Sequence, residues 1–140
     1  MKADSGGNLL IERAITTYQK NAAGAADTAY LDLTTVMTLS YLRYDFRTMW
    51  LNKYSRYKLA QDGTRFGPGQ AIMTPKLGAA EAVMKFSEWE EAGLVQNLDE
   101  FKQNLVVEIN GSDPNRLDFL LPPQLIGQLM VAGVQIAFLL

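Results

Sequence analysis

The 140-residue sequence contains no cysteine and no histidine. Without cysteine there is no disulfide and no thiolate nucleophile, and without histidine the chain lacks the commonest general base of enzymes. The usual zinc and copper ligands are missing for the same reason. Serine and threonine remain as nucleophiles, but they would need a Ser–Lys arrangement, and no motif supports one. We therefore expect a protein that is not an enzyme and that needs no cofactor and no metal.

The chain also lacks an excess of positive charge. It has 13 lysines and arginines against 15 acidic residues, for a net charge of −2, and the basic residues are scattered. This disfavours direct binding to nucleic acid. No apolar run is long enough to span a bilayer, and the first residues lack the apolar segment of a signal peptide. We expect one soluble, intracellular domain over residues 1–140, without membrane insertion.

The most distinctive stretch is the end of the chain, residues 129–139. From Met130 to Leu140 there is no charge, and every even position is apolar, which is the period of a strand. The odd positions are hardly polar, so both faces need cover, as in a central strand. Because chain termini usually fray, a terminal segment this apolar must dock, either in its own domain or in a neighbouring chain.

The rest of the pattern predicts an α+β fold, in which a small, mostly antiparallel sheet packs against two main helices. The strands are expected at about 9–18, 105–109, 116–121 and 129–139, and the helices at about 33–54 and 75–92.

The helix boundaries rest on capping residues. Asp32 or Thr34 can cap the first helix, whereas Thr74 precedes Pro75 at the start of the second and Gly93 follows its end. The spacing of apolar residues predicts a buried side on the second helix formed by Leu77, Ala80, Val83 or Met84, and Trp89.

Residues 105–121 predict a β-hairpin with a loop of about five residues. Two registers keep the same side chains on each face. One sets Glu108 opposite Arg116, and the other sets Glu108 opposite Asp118. Because facing opposite charges stabilise a strand pair and like charges destabilise it, the first register is expected. Pro122 and Pro123 then end the second strand, since neither can donate a ladder hydrogen bond.

Other possible sites have ordinary explanations. The glycine-rich residues 63–69 lack the spacing of a phosphate-binding or dinucleotide-binding loop, so a structural or interface loop is expected. Glu88, Glu90 and Glu91 spread around a helix, which is typical of a solvated surface rather than a metal site. For the terminal strand, pattern alone leaves open both an intramolecular sheet and strand addition between chains.

Several longer motifs, in this order and spacing, resemble the C-terminal domain of Mu-like contractile-tail sheath proteins over nearly the whole chain. They are LLIERAITTYQ (9–19), YLD (30–32), LSYLRYDFR (39–47), DGTRFGPGQAIMTP (62–75), EWEEAGLV (88–95) and DPNRLDFLLPPQLIGQ (113–128). Full-length sheath subunits of this kind are much longer, so the resemblance implies that the chain is a C-terminal fragment.

The resemblance implies a structural role in a bacteriophage virion. Sheath subunits surround the tail tube, are assembled in the host bacterial cytoplasm, and contract to drive the tube through the host envelope for genome delivery. The implied partners are neighbouring copies, the tail tube protein, and the baseplate and tail terminator proteins. Neighbouring subunits are linked by extended arms that pair with the small sheet of an adjacent subunit.

Carried onto this sequence, that linkage implies two sets of residues. The donated strand would present Leu129, Val131, Val134, Ile136, Phe138 and Leu140. The acceptor hairpin would present Leu105, Val107, Ile109, Leu117, Phe119 and Leu121. Two alternatives are an oligomeric structural module unrelated to tails and a small-molecule-binding α+β domain, whose expected lining is the loop of residues 61–70.

Overall fold

The computed structural model describes residues 2–138, which contain three helices and eight short strands. This confirms the α+β class. In chain order the elements are β1 Lys2–Ala3, β2 Leu9–Leu10, α1 Leu33–Tyr54, β3 Lys58–Leu59, β4 Ile72–Met73, α2 Pro75–Glu91, β5 Val95–Gln96, α3 Leu98–Asn104, β6 Val106–Ile109, β7 Leu117–Leu120 and β8 Gln124–Leu125.

Helix α2 begins and ends as its capping residues predict. The Thr74 side chain accepts a hydrogen bond from the Leu77 amide at 3.3 Å, and Pro75 is the first helical residue. Gly93 follows the helix with φ of 73°, and the amides of Gly93 and Leu94 donate back to the carbonyls of the last turn at 2.9 and 3.0 Å. These two bonds satisfy carbonyls that the helix end would otherwise leave unpaired.

Helix α1 also has its predicted bounds, but its start is stabilised differently. Asp32 is the N-cap residue, yet its side chain makes no capping hydrogen bond. Its carboxylate instead accepts two hydrogen bonds from the Arg13 guanidinium, at 2.6 and 2.9 Å. The segment before α1 is thereby tied to the helix.

The core lies where α1, α2 and α3 meet. Phe86 is fully buried and stacks on Phe101 with ring centroids 4.1 Å apart. The other buried apolar residues of this cluster are Leu42, Phe46, Ala82, Trp89 and Val95.

The predicted apolar side of α2 is only partly right. Trp89 is buried and Val83 packs against the core, but Leu77 and Met84 are each 45% exposed, and Ala80 is exposed. The buried stripe instead contains the small residues Gly78 and Ala82. A search for large apolar side chains misses them, because their value here is that they let neighbouring elements approach closely.

The hairpin of β6 and β7 forms in the register that the sequence argument rejected. Val107 pairs with Phe119 and Glu108 pairs with Asp118, so the expected pairing of Glu108 with Arg116 is wrong. The turn decides the register: the Asn110 side chain accepts from the amides of Ser112 and Asp113 at 2.9 and 3.0 Å. Asn110 also donates to the Asp118 carboxylate at 2.7 Å, which offsets the repulsion between the facing acids.

The strand predicted over residues 9–18 is much shorter. Only Leu9–Leu10 is a strand, paired antiparallel with Lys2–Ala3, and isolated bridges at Ile15 and Lys20 hold the following residues. A longer strand needs a neighbour along its whole length, and residues 2–138 offer none here. The remaining pairs are a parallel one, β3 with β4, and an antiparallel one, β5 with β8, so the strands form separate two-stranded pairs.

The predicted terminal strand has no ladder partner within residues 2–138. Residues 129–138 form no strand, so the prediction of a strand paired inside this domain is wrong for them. An extended apolar segment becomes a strand only when another strand satisfies its backbone groups. Leu139, the last residue of the predicted strand, and Leu140 lie outside the described residues.

Candidate functional site

The six residues expected to form the acceptor hairpin lie half-buried on its inner side. Val107, Leu117 and Phe119 close over Gly78 of α2, where an added Cβ would lie 3.1–3.3 Å from their side chains. Leu105 and Leu121 also pack against the core, and Ile109 is partly buried. These side chains therefore fix the position of the hairpin, and its backbone edges are the part that remains unpaired within the described residues.

Both outer edges of the hairpin are open within the described part of the chain. There β6 pairs only with β7, so each strand uses one edge and leaves the other without a ladder. Unpaired N–H and C=O groups in a row are a template for an incoming strand. On the outer face Val106 and Leu120 are exposed, so apolar surface continues beside these edges.

A groove of about 850 Å³ runs along β7 beside α1. All residues from Leu117 to Leu121 border it, so the groove follows the whole strand. Its floor is aromatic: the Phe119 ring lies 4.7 Å from that of Trp50 and 5.2 Å from that of Phe46, centroid to centroid. Arg43 and Arg47 of α1 form its far wall. An apolar floor beside an open strand edge suits an extended apolar segment.

The end of the chain, residues 129–138, is an apolar segment of this kind. Leu129, Val131, Val134, Ile136 and Phe138 are each between 80% and 88% exposed. The sixth expected residue, Leu140, lies outside the described residues. Isolated apolar side chains on a surface are ordinary, whereas a run of this length that is almost fully exposed is typical of interaction surfaces.

The segment leaves the domain from a fixed point. Leu125 pairs with the buried Val95, and the Ile126 amide donates to the Leu94 carbonyl at 3.1 Å. The Asn97 side chain also donates to the Gln124 side chain. After Ile126 the twelve residues to Phe138 can reach about 40 Å when extended. The sequence pattern did not predict the β5–β8 pair, because two residues are too few to show a period.

A polar link between α1 and α2 holds one wall of the groove. The Asp45 carboxylate accepts from the Trp89 indole at 2.8 Å and lies 2.9 Å from the Lys85 ammonium, which also lies 2.7 Å from Glu88. Burial raises the pKa of Asp45, but the hydrogen bonds from Lys85 and Trp89 outweigh it, so the pKa lies below its ordinary value. Burial alone would lower the pKa of Lys85. The hydrogen bonds and charges of Asp45 and Glu88 raise it by more, so the pKa lies above its ordinary value.

The sequence analysis missed this link because it treated charged helix residues as solvated. One signal was available: a buried tryptophan usually needs a hydrogen-bond partner for its indole N–H. Asp45 was the acid of α1 that could provide one.

The remaining candidates form no comparable site. The loop of residues 61–70 is exposed throughout and does not border the groove beside β7. Among residues 2–138, no three acidic side chains come together in a way that could hold a metal ion. No helix in that part of the chain is long and apolar enough to cross a membrane.

Comparison with known proteins gives two matches that agree. The family described as the phage tail sheath C-terminal domain matches residues 25–138. The Mu-like prophage FluMu tail sheath protein of Haemophilus influenzae is 44% identical to the chain over 137 residues. That alignment covers 98% of the chain but only 28% of the relative's length.

Proposed function

Because the chain belongs to the phage tail sheath family and corresponds to its C-terminal domain, we propose that it links the subunits of a contractile tail sheath. The role is structural rather than catalytic. The chain acts as the C-terminal part, residues 1–140, of a longer subunit. The sheath surrounds the tail tube in the virion after assembly in the host bacterial cytoplasm, and its contraction drives the tube through the host envelope for genome delivery.

The proposal is supported by two features found together in the described residues: an apolar segment without a ladder partner and a hairpin with open edges. The apolar segment of residues 129–138 has no ladder partner among the described residues, and the β6–β7 hairpin has open edges. If the segment of every copy pairs with the hairpin of the next copy, each hairpin gains one strand and every segment has a partner. A contact of this head-to-tail kind builds rings or helical assemblies rather than closed pairs.

The groove beside β7 is the favoured position for the donated strand. A strand added there would lie about 4.8 Å from β7 and would place alternate side chains on the aromatic floor near Phe46, Trp50 and Phe119. Fully burying one large apolar side chain contributes roughly 1.5–3 kcal/mol, as an upper estimate. The donated segment carries five such side chains that are exposed in the single chain. Main-chain hydrogen bonds would add to this and set the register.

In this arrangement the strand links hold the subunits together during contraction, and other contacts provide the free energy. Strand links can persist while subunits rotate, because the residues between Ile126 and the donated strand have no ladder partner within residues 2–138 and can change conformation. The free energy of contraction would come from new contacts between domains. The tail tube protein is the inner partner, and the baseplate and tail terminator proteins contact the ends of the sheath.

Proline at positions 134 and 135 tests the strand link directly. Because successive residues of a strand direct their N–H groups to opposite edges, Val134→Pro is combined with Gln135→Pro, so that one of the two removes an N–H that faces β7. Val134→Ala combined with Gln135→Ala shortens the same side chains and keeps both N–H groups. Both variants are made in the complete subunit. Electron microscopy should show long tubes with the alanine variant and few or none with the proline variant.

Two controls separate a lost link from a lost fold. Because Val134 is 84% exposed in the single chain and Gln135 is also exposed, neither variant should change the urea unfolding midpoint of the 140-residue domain. Deletion of residues 129–140 should abolish tubes as the proline does. Normal tubes from both the proline variant and the deletion would refute the strand link.

A further inference from the structure

Two exposed helix stripes lie outside the groove beside β7, except for Leu51 at one end, which also lines it. The α1 stripe is formed by Met37, Tyr41, Tyr44 and Leu51, which recur at helical spacing and are between 50% and 68% exposed. The α2 stripe is formed by Leu77, Ala80 and Met84, followed by Glu88 and Glu91, and it contains the apolar residues that the sequence pattern had assigned to the core. Contiguous apolar surface of this kind marks an interaction site.

The charges beside the two stripes are opposite. On α1 the one acid, Asp45, is held by Lys85 and Trp89, so the charge that α1 presents to solvent is basic, above all Arg43 and Arg47. Neither arginine forms an ion pair within residues 2–138. The α2 stripe ends in acids, and Glu91 likewise has no ion pair in that part of the chain.

The spacing of these features also matches. From Met37 to Arg47 is ten residues, or about 15 Å along a helix, and from Leu77 to Glu88 is eleven residues, or about 16.5 Å. With the helices side by side and parallel, apolar halves would face each other, and the basic half of α1 would face the acidic half of α2.

The α1 stripe and the α2 stripe of one copy cannot contact each other. Within the domain α1 and α2 already pack through their opposite sides, where Phe46 lies 6.4 Å from Trp89 between ring centroids. The stripes therefore face away from each other. We infer that the α1 stripe of one copy docks on the α2 stripe of a neighbouring copy, as a second contact between subunits beside the proposed strand link. This inference rests on the proposed assembly, and its surface meets the groove beside β7 only along Arg43, Arg47 and Leu51, which line both.

The strand link makes a weak helix contact effective. Two copies already joined by an arm meet at a high effective concentration, so the second contact needs little affinity of its own. Because the two stripes differ, the contact is head-to-tail, and it can continue from copy to copy along a ring or helix.

Cysteine crosslinking of complete subunits tests this contact. The 140 residues contain no cysteine, so Tyr44→Cys and Met84→Cys introduce the only thiols of this chain, and the unsubstituted parent sets the background. Subunits with Tyr44→Cys are mixed with subunits carrying Met84→Cys, assembled and oxidised. We expect a crosslinked dimer from the mixture and none above background from either variant alone. A matched control, Lys102→Cys on α3 mixed with Met84→Cys, should give no dimer.

A charge exchange tests the complementarity. Arg47→Glu should lower the crosslinking yield about fivefold, since it turns an attractive exposed pair into a repulsive one. Because Arg47 also lines the groove beside β7, yields are compared only between variants that still form tubes. Glu91→Arg in the partner copy should restore the yield. Arg65→Glu, an exposed change in the loop before α2, should leave it unchanged.

Each other outcome overturns the inference. A dimer from Tyr44→Cys alone would show that α1 stripes pair with each other. A crosslink from Tyr44→Cys to a tube protein, or to another part of its own subunit, would identify a different occupant. No dimer from the mixture, in tubes that still require residues 129–138, would refute the helix contact and leave the strand link standing.

Discussion

Gly78 is the position at which a single added carbon tests the packing of the acceptor hairpin. An alanine Cβ there would lie 3.1 Å from a methyl carbon of Leu117, 3.2 Å from one of Val107 and 3.3 Å from the ring of Phe119. These atoms belong to two strands that converge on the same point, so no single side-chain movement relieves all three contacts.

Two opposing effects decide the size of the change. Replacing glycine by alanine within a helix stabilises it by about 1 kcal/mol, whereas overpacking a close contact costs about 1–3 kcal/mol. Gly78→Ala should therefore lower the free energy of unfolding by about 0–2 kcal/mol. Gly78→Val adds two more carbons at the same point, so its loss should lie near the upper end of the overpacking range, at about 3 kcal/mol.

Urea unfolding of the domain measures these changes through the midpoint at constant slope. Ala80→Gly calibrates the helix effect, because Ala80 is exposed on the same helix and its loss should be about 1 kcal/mol. If Gly78→Ala instead stabilises the domain by as much as Ala80→Gly destabilises it, the hairpin does not rest on Gly78, and the reasoning fails. The same displacement of the hairpin should reduce tube formation by the complete subunit.

Two further predictions concern charge and the end of α2. The pKa of Asp45 lies below its ordinary value of 3.8, so the stability that it contributes is present above that pH and is lost as the pH falls through the lower, folded pKa. Asp45→Asn should therefore reduce the fall in unfolding free energy between about pH 5 and pH 2. Urea midpoints that fall as steeply with pH in the variant as in the parent would contradict this. Gly93→Ala places a Cβ at φ of 73° and should cost about 1–2 kcal/mol. Gly111→Ala, at a position with open space and no positive φ, is the control, and equal losses from the two would contradict the capping role of Gly93.

Local chemistry determined what the sequence could predict of the fold. The bounds of α2 follow from Thr74, Pro75 and Gly93, whose preferences act within one turn of the helix. The inner side of α2 was harder, since Gly78 and Ala82 are buried because they are small. No periodicity of large apolar side chains can indicate that.

The register of the hairpin and the pairing of the terminal segment were not predicted correctly, for different reasons. Both candidate registers placed the same residues inside, so the choice fell to the Asn110 side chain, which fixes the turn and binds Asp118. Facing charges were a weaker criterion than the turn. For residues 129–138 the apolar alternation was readable, but residues 2–138 provide no neighbouring strand for them, and a periodic pattern does not indicate where a strand's partner lies.

The β5–β8 pair determines where a mechanical load on the terminal arm would enter the domain. Tension on the residues after Gly127 reaches Leu125 first, and Leu125 is paired with Val95, which has no exposed surface. The force thus passes directly to the aromatic cluster around Phe86 and Phe101 instead of stretching a surface loop. Pulling the segment away would require opening the best-packed part of the domain, so under the proposed strand link this attachment should hold while subunits rotate.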